Sequence, residues 1–302
     1  MSILDHPAVA RFLAAHPGAG GGPPPLAVFD CDGTVIRGDI GEAMFYRQIE
    51  HFHFRRSPAD VWRTHARRDR LAVLFARLLP MEPAARGADP AFEEFAGMLL
   101  DWYFGGIAAG RVTEACADIV RLFAGYTVEE VRAIARATFA EELASPLGTR
   151  RLGNRELPRG ARYLAESVEL LRALAARGFD IWAVSGSNAW SVEPVFERLG
   201  VPPARVIGIA LESEGGVLAD RAAAPIPIRE GKVAALRALT PEVPLLAASD
   251  SKNDIPLLLY ARGLRVRVNS RGRDTDDFFR AAGTAPDGTW VNVDRPRIMD
   301  EV

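Results

Sequence analysis

The chain has 302 residues, a formal net charge of −2 and 48% hydrophobic residues, which allows two domains or one domain with a large insert. This charge balance gives no indication of a nucleic-acid partner, and no apolar run reaches the roughly 18 residues that a membrane-spanning helix requires. The amino-terminal residues show no basic segment followed by an apolar one, so we expect no secretory signal and a cytoplasmic protein. The two cysteines, Cys31 and Cys116, provide no disulfide framework.

The pattern of apolar runs predicts an α/β fold. The segment GAGGGPPP at 18–25 indicates that residues 1–25 form a flexible leader. Short apolar runs then predict buried strands at 26–30, 179–184, 205–211, 244–249 and 264–268. Helical patterns occur at 161–178, 188–200, 231–239 and 253–263. Strands that alternate with helices at this spacing predict a doubly wound, mainly parallel sheet.

Residues 39–155 interrupt this alternation. They are rich in Arg, Ala, Leu and aromatic residues, show helical periodicity and contain no clear strand. They also separate the first predicted strand from all the others. We therefore predict an α/β core formed by 26–38 and 156–302, with a helical cap domain at 39–155.

Side chains suited to phosphate chemistry occur at the predicted strand ends and helix starts. They lie, in chain order, in the motifs DCDGT, SGSN, GK and SDSKND: Asp30, Asp32, Ser185, Lys232, Asp250 and Asp254. Because ligands of an open parallel sheet bind at the carboxyl ends of its strands, we expect these groups to form one site. Lys232 and Lys252 are the two lysines of a chain otherwise rich in arginine. Each is present either by chance or because a compact ammonium is required there.

On these motifs the chain resembles the haloacid dehalogenase superfamily of phosphohydrolases. The similarity is to the branch with a helical cap after the first strand, which includes phosphoserine phosphatases and phosphocholine phosphatase-like enzymes. It implies a Rossmann-like core and a Mg²⁺-dependent phosphatase that acts on a small phosphorylated metabolite through an aspartyl-phosphate. It also implies that Asp30 is the nucleophile and Asp32 the general acid and base. The implied metal ligands are Asp30, the carbonyl of Asp32 and Asp250, with Asp254 in support. The implied phosphate ligands are Thr34, Ser185, Gly186 and Lys232.

The chemistry of these residue types agrees with the resemblance. A phosphate dianion repels an anionic nucleophile, so a divalent cation must neutralise both, and carboxylate oxygens suit Mg²⁺. An ordinary aspartate has a pKa of about 3.9 and is ionised at neutral pH without an activating base. Asp30 could therefore attack phosphorus directly. General acid–base catalysis of the kind assigned to Asp32 is typically worth about 10²–10⁴-fold.

A different interpretation follows from the C-x5-R spacing between Cys31 and Arg37, the outline of a cysteine phosphatase loop. The flanking carboxylates of Asp30 and Asp32 should raise the pKa of the thiol, which is the opposite of what a nucleophilic cysteine needs. The glycine spacing also differs from that loop, so we favour Asp30 and expect Cys31 to be a buried thiol. A non-catalytic phosphate-binding or regulatory protein on the same fold is a further alternative, although the presence of Asp32 argues against it.

The resemblance also bears on the substrate. In phosphoserine phosphatases an acid nine residues after the nucleophile contacts the substrate ammonium, and here Asp39 has that position, with Glu42 close by. This implies a substrate with an amine or quaternary ammonium group, of the phosphoserine, phosphocholine or phosphoethanolamine type, bound by Asp39, Glu42 and Asn253. The aromatic residues of the cap are either helix core or a cage for a methylated ammonium: Phe45, Tyr46, Trp62 and 102–104.

Two further features concern the site. Ser249 stands before Asp250, where the superfamily usually has glycine, and we expect it to narrow the space beside the metal ligand. The segment NSRGRD at 269–274 carries two arginines. It is either a solvated loop, which we favour, or an aid to binding a more anionic substrate.

Overall fold

The computed structural model describes residues 2–18, 22–284 and 287–299, so residues 19–21 of the expected leader lie outside the described part of the chain. Its strands are β1 (Leu26–Phe29), β2 (Ile36–Arg37), β3 (Gly148–Leu152), β4 (Arg155–Arg159), β5 (Arg162–Leu164), β6 (Asp180–Asn188), β7 (Val206–Ile209), β8 (Leu211–Glu214), β9 (Val217–Ala222), β10 (Leu246–Ser249), β11 (Leu264–Asn269), β12 (Trp290–Asp294) and β13 (Ile298–Met299).

Its α-helices are α1 (Pro7–Ala15), α2 (Ile40–Glu50), α3 (Pro58–Val61), α4 (Arg68–Leu78), α5 (Pro83–Ala88), α6 (Pro90–Ala108), α7 (Val112–Arg121), α8 (Val128–Ala144), α9 (Ala165–Ala175), α10 (Ala189–Glu197), α11 (Glu230–Leu239), α12 (Ile255–Tyr260) and α13 (Thr275–Ala282). Short 3-10 helices occur at Ile3–Asp5, Pro203–Arg205 and Lys252–Asp254. Of the described helices, none has the length and apolar character needed to cross a membrane.

The central element is a six-stranded sheet with the order β12-β11-β10-β1-β6-β7. The strand β1 lies in the middle and pairs in parallel with β10 and β6, with Val28 opposite Ala247 on one side and Trp182 on the other. The pairs β10–β11 and β11–β12 are also parallel. All four residues of β1 are buried, as expected for a parallel strand with covered faces. The predicted doubly wound, mainly parallel α/β fold is confirmed.

A hydrophobic core packs the helices against this sheet. Val28 and Trp182 from the sheet cluster with Leu236 of α11, Leu257 of α12 and Phe278 of α13. Leu236 and Leu257 are fully buried, and burial of such a side chain is worth about 1.5–3 kcal/mol. This packing fixes α11, which carries Lys232, and α12, which Asp254 directly precedes.

The chain divides into two compact units. The core unit comprises the described residues of 1–39, 161–208 and 227–302 and contains the six-stranded sheet. The helical unit comprises 40–160 and 209–226. It contains α2–α8 together with the hairpins β3–β4 and β8–β9.

Several elements differ from the sequence-based expectation. Part of the expected flexible leader forms α1, which begins with a proline at its first turn and buries Val9 and Leu13, one helical turn apart. The predicted helix 161–178 starts later, because Tyr163 of β5 pairs with Ile36 of β2. The predicted strand 205–211 is divided between β7 and β8. The hairpin β3–β4 and the strand β12 were not predicted. Tyr163 became a strand residue through pairing with a distant segment, whereas β3–β4 is a local hairpin that the sequence pattern did not indicate.

Candidate active site

The first carboxylate of the DCDGT motif lies directly after the central strand. The backbone N–H of Asp30 donates to the carbonyl of Ala248 (2.9 Å), which continues the pairing of β1 with β10 by one residue. The side chain is buried, and its Oδ1 accepts a hydrogen bond from Lys232 Nζ at 2.8 Å. Its Oδ2 accepts one from Thr34 Oγ1 at 3.0 Å. The Asp30 carboxylate therefore has a fixed orientation at the strand end.

The ammonium of Lys232 lies between two carboxylates. Its Nζ is 2.8 Å from Asp30 Oδ1 and 2.8 Å from Asp254 Oδ1. Burial lowers the pKa of Lys232, but the charges and hydrogen bonds of Asp254 and Asp30 more than offset this effect, so its pKa is raised and it stays charged. Lys252 instead pairs with Asp277 at the surface. Of the two lysines, Lys232 is the one that occupies a buried position suited to a compact ammonium.

Ser249 holds the second carboxylate that contacts Lys232. Its hydroxyl donates to Asp254 Oδ2 at 2.5 Å and accepts the backbone N–H of Ser251 at 3.2 Å. Burial raises the pKa of Asp254, while Lys232 and the hydrogen bond from Ser249 act in the opposite direction without cancelling it. In the sequence, Ser249 was notable only because the superfamily usually has glycine at this position. The structure assigns it a contact with Asp254.

Two serines of β6 hold Asp32. Asp32 Oδ2 accepts hydrogen bonds from Ser187 Oγ at 2.7 Å and from Ser185 Oγ at 3.4 Å. Ser185 Oγ also accepts the backbone N–H of Ser187 at 3.1 Å. Ser185 was predicted as a phosphate ligand, whereas Ser187 was not singled out although it makes the shorter contact. The sequence contained a signal for it, because residues two apart in a strand face the same side.

Gly186 lies within β6, which extends past the end predicted at residue 184. The strand β6 continues to Asn188, and α10 begins at Ala189. The strand β7 runs close beside β6. An added Cβ at Gly208 of β7 would lie only 2.7 Å from the carbonyl oxygen of Ser187. Gly186 is therefore part of the strand that also carries Ser185 and Ser187.

Asp250 follows β10 and is almost completely buried, with 5% of its side chain exposed. Its Oδ2 accepts no hydrogen bond from the residues that the structure describes, and Arg271 Nε lies 3.4 Å from it. Burial raises the pKa of Asp250 to about 7, an effect that Arg271 opposes and Asp30 reinforces. An added Cβ at Gly33, whose φ is +77°, would lie 2.5 Å from the same Oδ2. The loop of the DCDGT motif and the Asp250 carboxylate are therefore in close contact.

The match to a known family agrees with this geometry. The family model of haloacid dehalogenase-like hydrolases matches residues 27–259. This chain belongs to the haloacid dehalogenase-like hydrolases. The predicted family and the prediction of an enzyme are thereby confirmed. A search of curated proteins finds no match.

Two solved structures share the fold of this hydrolase, and a third is less similar. A conserved, functionally unknown protein from Anaerococcus prevotii DSM 20548 is 18% identical, with 96% of this chain and 94% of that one covered and a TM-score of 0.71. A protein of unknown function from Bordetella pertussis Tohama I is 19% identical, with coverages of 91% and 100% and a TM-score of 0.56. A substrate-bound phosphoserine phosphatase is 14% identical, with coverages of 82% and 86% and a TM-score of 0.41. The first two similarities concern the fold.

The carboxylates of this hydrolase suit a divalent cation. Asp250 Oδ2 is a buried carboxylate oxygen that lacks a hydrogen-bond donor among the described residues, and Asp30 is close enough to act on it electrostatically. A hard cation such as Mg²⁺ prefers such oxygens. Within the described ranges, no group of three His, Cys, Asp or Glu side chains is placed to hold a metal. Asp30 and Asp250 are the two carboxylates that could hold such a cation, and the carbonyl of Asp32 is the further ligand that the resemblance implies.

Cys31 is unsuited to nucleophilic chemistry. Cys31 lies between Asp30 and Asp32 in the sequence, and it is fully buried. Burial raises the pKa of Cys31 well above its ordinary value, and the negative charges of Asp32 and Asp30 raise it further. A nucleophilic cysteine needs a lowered pKa. The structure therefore agrees with the expectation that Cys31 is a buried thiol.

The three predicted substrate-binding residues have different surroundings. Asp39 is half-buried and precedes α2, and Asn253 Oδ1 accepts a hydrogen bond from Arg229 Nε at 3.4 Å. Glu42 belongs to the helical unit. There it accepts hydrogen bonds from the hydroxyls of Tyr46 (2.7 Å) and Tyr103 (3.0 Å). The Glu42 carboxylate is thus held by two tyrosines.

The aromatic residues considered for a cation cage are mostly buried within the helical unit. Phe45, Tyr46 and Trp62 each expose 2% of their surface or less. Trp62 Nε1 donates to the carbonyl of Asp118 at 2.9 Å, and its ring stacks on Trp102 with centroids 5.8 Å apart. These contacts favour the interpretation that the rings form helix core.

Proposed function

We propose that this protein is a Mg²⁺-dependent phosphomonoesterase that uses Asp30 as its nucleophile. One observation carries the proposal: Asp30 is fixed at the end of the central strand by Lys232 and Thr34, beside Asp250, whose buried Oδ2 lacks a donor. Asp30, Asp250 and the carbonyl of Asp32 would hold Mg²⁺. The cation, when bound, would neutralise phosphate charge and polarise the phosphoryl group.

The proposed reaction has two steps. In the first, an oxygen of Asp30 attacks phosphorus, the bond from phosphorus to the ester oxygen breaks, and the leaving alkoxide takes a proton from Asp32. In the second, Asp32 accepts a proton from water, whose oxygen attacks phosphorus. This step releases inorganic phosphate and regenerates the Asp30 carboxylate. The chain's own contacts support these roles, because Ser187 orients Asp32 and Lys232 keeps positive charge beside the attacking carboxylate.

The first test is hydrolysis of p-nitrophenyl phosphate with Mg²⁺ or EDTA, on the wild type, Asp30→Asn and Cys31→Ser. We expect activity that needs Mg²⁺, is lost in Asp30→Asn and persists in Cys31→Ser. An acyl phosphate on Asp30, trapped with hydroxylamine and located by mass spectrometry, would identify the nucleophile directly. Activity that resists EDTA but is lost in Cys31→Ser would overturn the proposal. Inactivity against both this substrate and a panel of small phosphomonoesters would favour the regulatory alternative.

The finer proposal is that the substrate is a small phosphomonoester with an amine or quaternary ammonium group. It rests on two acids, Asp39 and Glu42, and on the fixed orientation that Tyr46 and Tyr103 give to Glu42. The test compares turnover of phosphoserine, phosphoethanolamine, phosphocholine and a sugar phosphate. We expect at least one cationic substrate to be preferred and Glu42→Gln to weaken that preference. Equal kcat/KM values for all four would contradict the proposed cationic group.

A further inference from the structure

The loop between β11 and α13 has a defined shape. Asn269, the last residue of β11, donates from Nδ2 to the carbonyl of Arg273 at 2.9 Å and accepts the backbone N–H of Arg273 on Oδ1 at 2.8 Å. The same Nδ2 donates to Asp294 Oδ1 at 2.7 Å. The side chain of Asn269 therefore closes the loop like a backbone pair. Residues 271–274 of this loop are exposed, as expected for a solvated loop, and its backbone conformation is held by these hydrogen bonds.

A buried arginine supports the same loop. Arg267 on β11 is 1% exposed, and its guanidinium donates to Thr275 Oγ1 at 2.7 Å and to the carbonyl of Arg273 at 3.2 Å. It also lies over the ring of Phe278, 4.7 Å from the centroid. Burying a guanidinium is unfavourable unless its donors are used. Here Nη1 and Nη2 hold the loop and the start of α13, whereas the buried Nε has no hydrogen-bond partner among the described residues.

This loop is also joined to the DCDGT motif. Ser270 Oγ donates to the carbonyl of Gly33 at 2.6 Å. The next residue, Arg271, has its Nε 3.4 Å from Asp250 Oδ2, and an added Cβ on Gly33 would lie 3.3 Å from the same Nε. Gly33 and Arg271 therefore both lie close to Asp250 Oδ2, the carboxylate oxygen that the proposed metal site requires.

We propose that Arg271 is a competing counter-ion of Asp250, displaced from Oδ2 when a divalent cation binds. This inference rests on the proposed function. A guanidinium keeps its charge at all relevant pH values, so it must move away or repel the incoming cation. Displacement would take Arg271 toward solvent, because 43% of its side chain is exposed, whereas only 5% of the Asp250 side chain is. Arg271 would thus set the Mg²⁺ affinity of the site.

The test measures Mg²⁺ dissociation constants by isothermal titration calorimetry, without substrate, on the wild type and Arg271→Gln. Competition by Arg271 lowers the apparent Mg²⁺ affinity in proportion to the fraction of molecules in which Asp250 Oδ2 is accessible. We therefore expect Arg271→Gln to bind Mg²⁺ about 3–10-fold more tightly than the wild type. Arg273→Gln is the matched control, because it removes the same charge from the same loop while the contacts of Arg273 described above are made by its backbone. The charge of Arg273 also acts on Asp250, but more weakly than that of Arg271, so we expect Arg273→Gln to change the Mg²⁺ affinity by less than about twofold.

The outcomes separate this inference from the proposed function. Mg²⁺ binding that is lost in Asp250→Asn but unchanged in Arg271→Gln would overturn the inference and leave the metal site intact. Equal gains in both arginine variants that disappear in about 0.5 M KCl would indicate long-range charge only and would also overturn it. Binding that is detectable only in Arg271→Gln would support it. Absence of Mg²⁺ binding in every variant would overturn the metal site and the inference together.

Discussion

Lys232 Nζ lies 2.8 Å from Asp30 Oδ1 inside the core unit, so a buried ammonium directly contacts the proposed nucleophile. The same ammonium is 2.8 Å from Asp254 Oδ1. One positive charge therefore neutralises part of a cluster in which Asp30 and Asp254 are both buried. This arrangement ties the stability of the fold to the chemistry of the site.

Replacement of Lys232 should destabilise the protein strongly. Lys232→Met keeps the approximate length of the side chain but leaves two buried carboxylates without their cation, which should lower the free energy of unfolding by about 3–5 kcal/mol. Urea denaturation of the metal-free protein measures this change. Lys252→Met is the matched control, because the Lys252–Asp277 pair is exposed and should contribute less than about 1 kcal/mol. Similar losses in both variants would contradict the buried role of Lys232.

Gly33 should be required by the site because of its position as well as its backbone conformation. Gly33→Ala combines strain at φ +77° with a methyl group 2.5 Å from Asp250 Oδ2, so we expect loss of Mg²⁺ binding and a fall in activity of more than about 100-fold. Gly215 also has a positive φ, +60°, but an added Cβ there meets nothing within 4 Å. Gly215→Ala should therefore cost about 1 kcal/mol of stability and keep full activity. Normal Mg²⁺ affinity in Gly33→Ala would disprove the close approach to Asp250.

Ser187 should matter most for substrates with poor leaving groups. Its hydroxyl positions Asp32, the proposed proton donor to the leaving alkoxide, through a 2.7 Å hydrogen bond. An aryl leaving group needs little protonation, whereas an alkyl one needs much. We expect Ser187→Ala to lower kcat for alkyl phosphates about 10-fold and for p-nitrophenyl phosphate less than about twofold. Ser187→Thr retains the hydroxyl and should restore the alkyl activity. An equal effect on both substrates would indicate a purely structural role.

The helical unit should lose stability on acidification through His53. Burial, together with the positive charges of His51 and Arg47, lowers the pKa of His53 to about 4. In the unfolded chain a histidine has a pKa of about 6.5, so the unfolded state binds this proton first as the pH falls. Stability therefore decreases between about pH 6.5 and pH 4.

The test compares urea unfolding midpoints near neutral pH and near pH 4.5 for the wild type and His53→Gln. We expect a smaller loss on acidification in the variant, because its side chain cannot bind the proton. Because His53 is only partly buried, the test concerns the direction of the change in stability and not its size. An identical pH dependence in both proteins would rule out the contribution of His53.

The sequence predicted most strands of the central sheet, and with them the strand ends that carry the motifs, because these depend on local pattern. Apolar runs at 26–30, 244–249 and 264–268 became β1, β10 and β11 with bounds shifted by two residues or fewer. A continuous apolar run followed by an acid is typical of a buried parallel strand that ends at a functional site. Local pattern alone therefore placed Asp30 and Asp250 at strand ends.

The tertiary structure decided the contacts between segments distant in the chain. Asp30 and Lys232 are 202 residues apart, and Ser187 and Asp32 are 155 apart, so no local pattern could pair them. The same reason explains β5, since Tyr163 becomes a strand residue through its pairing with Ile36. The sequence determined which residue types lie at the strand ends, whereas side-chain contacts such as that of Arg271 with Asp250 depend on how distant loops pack.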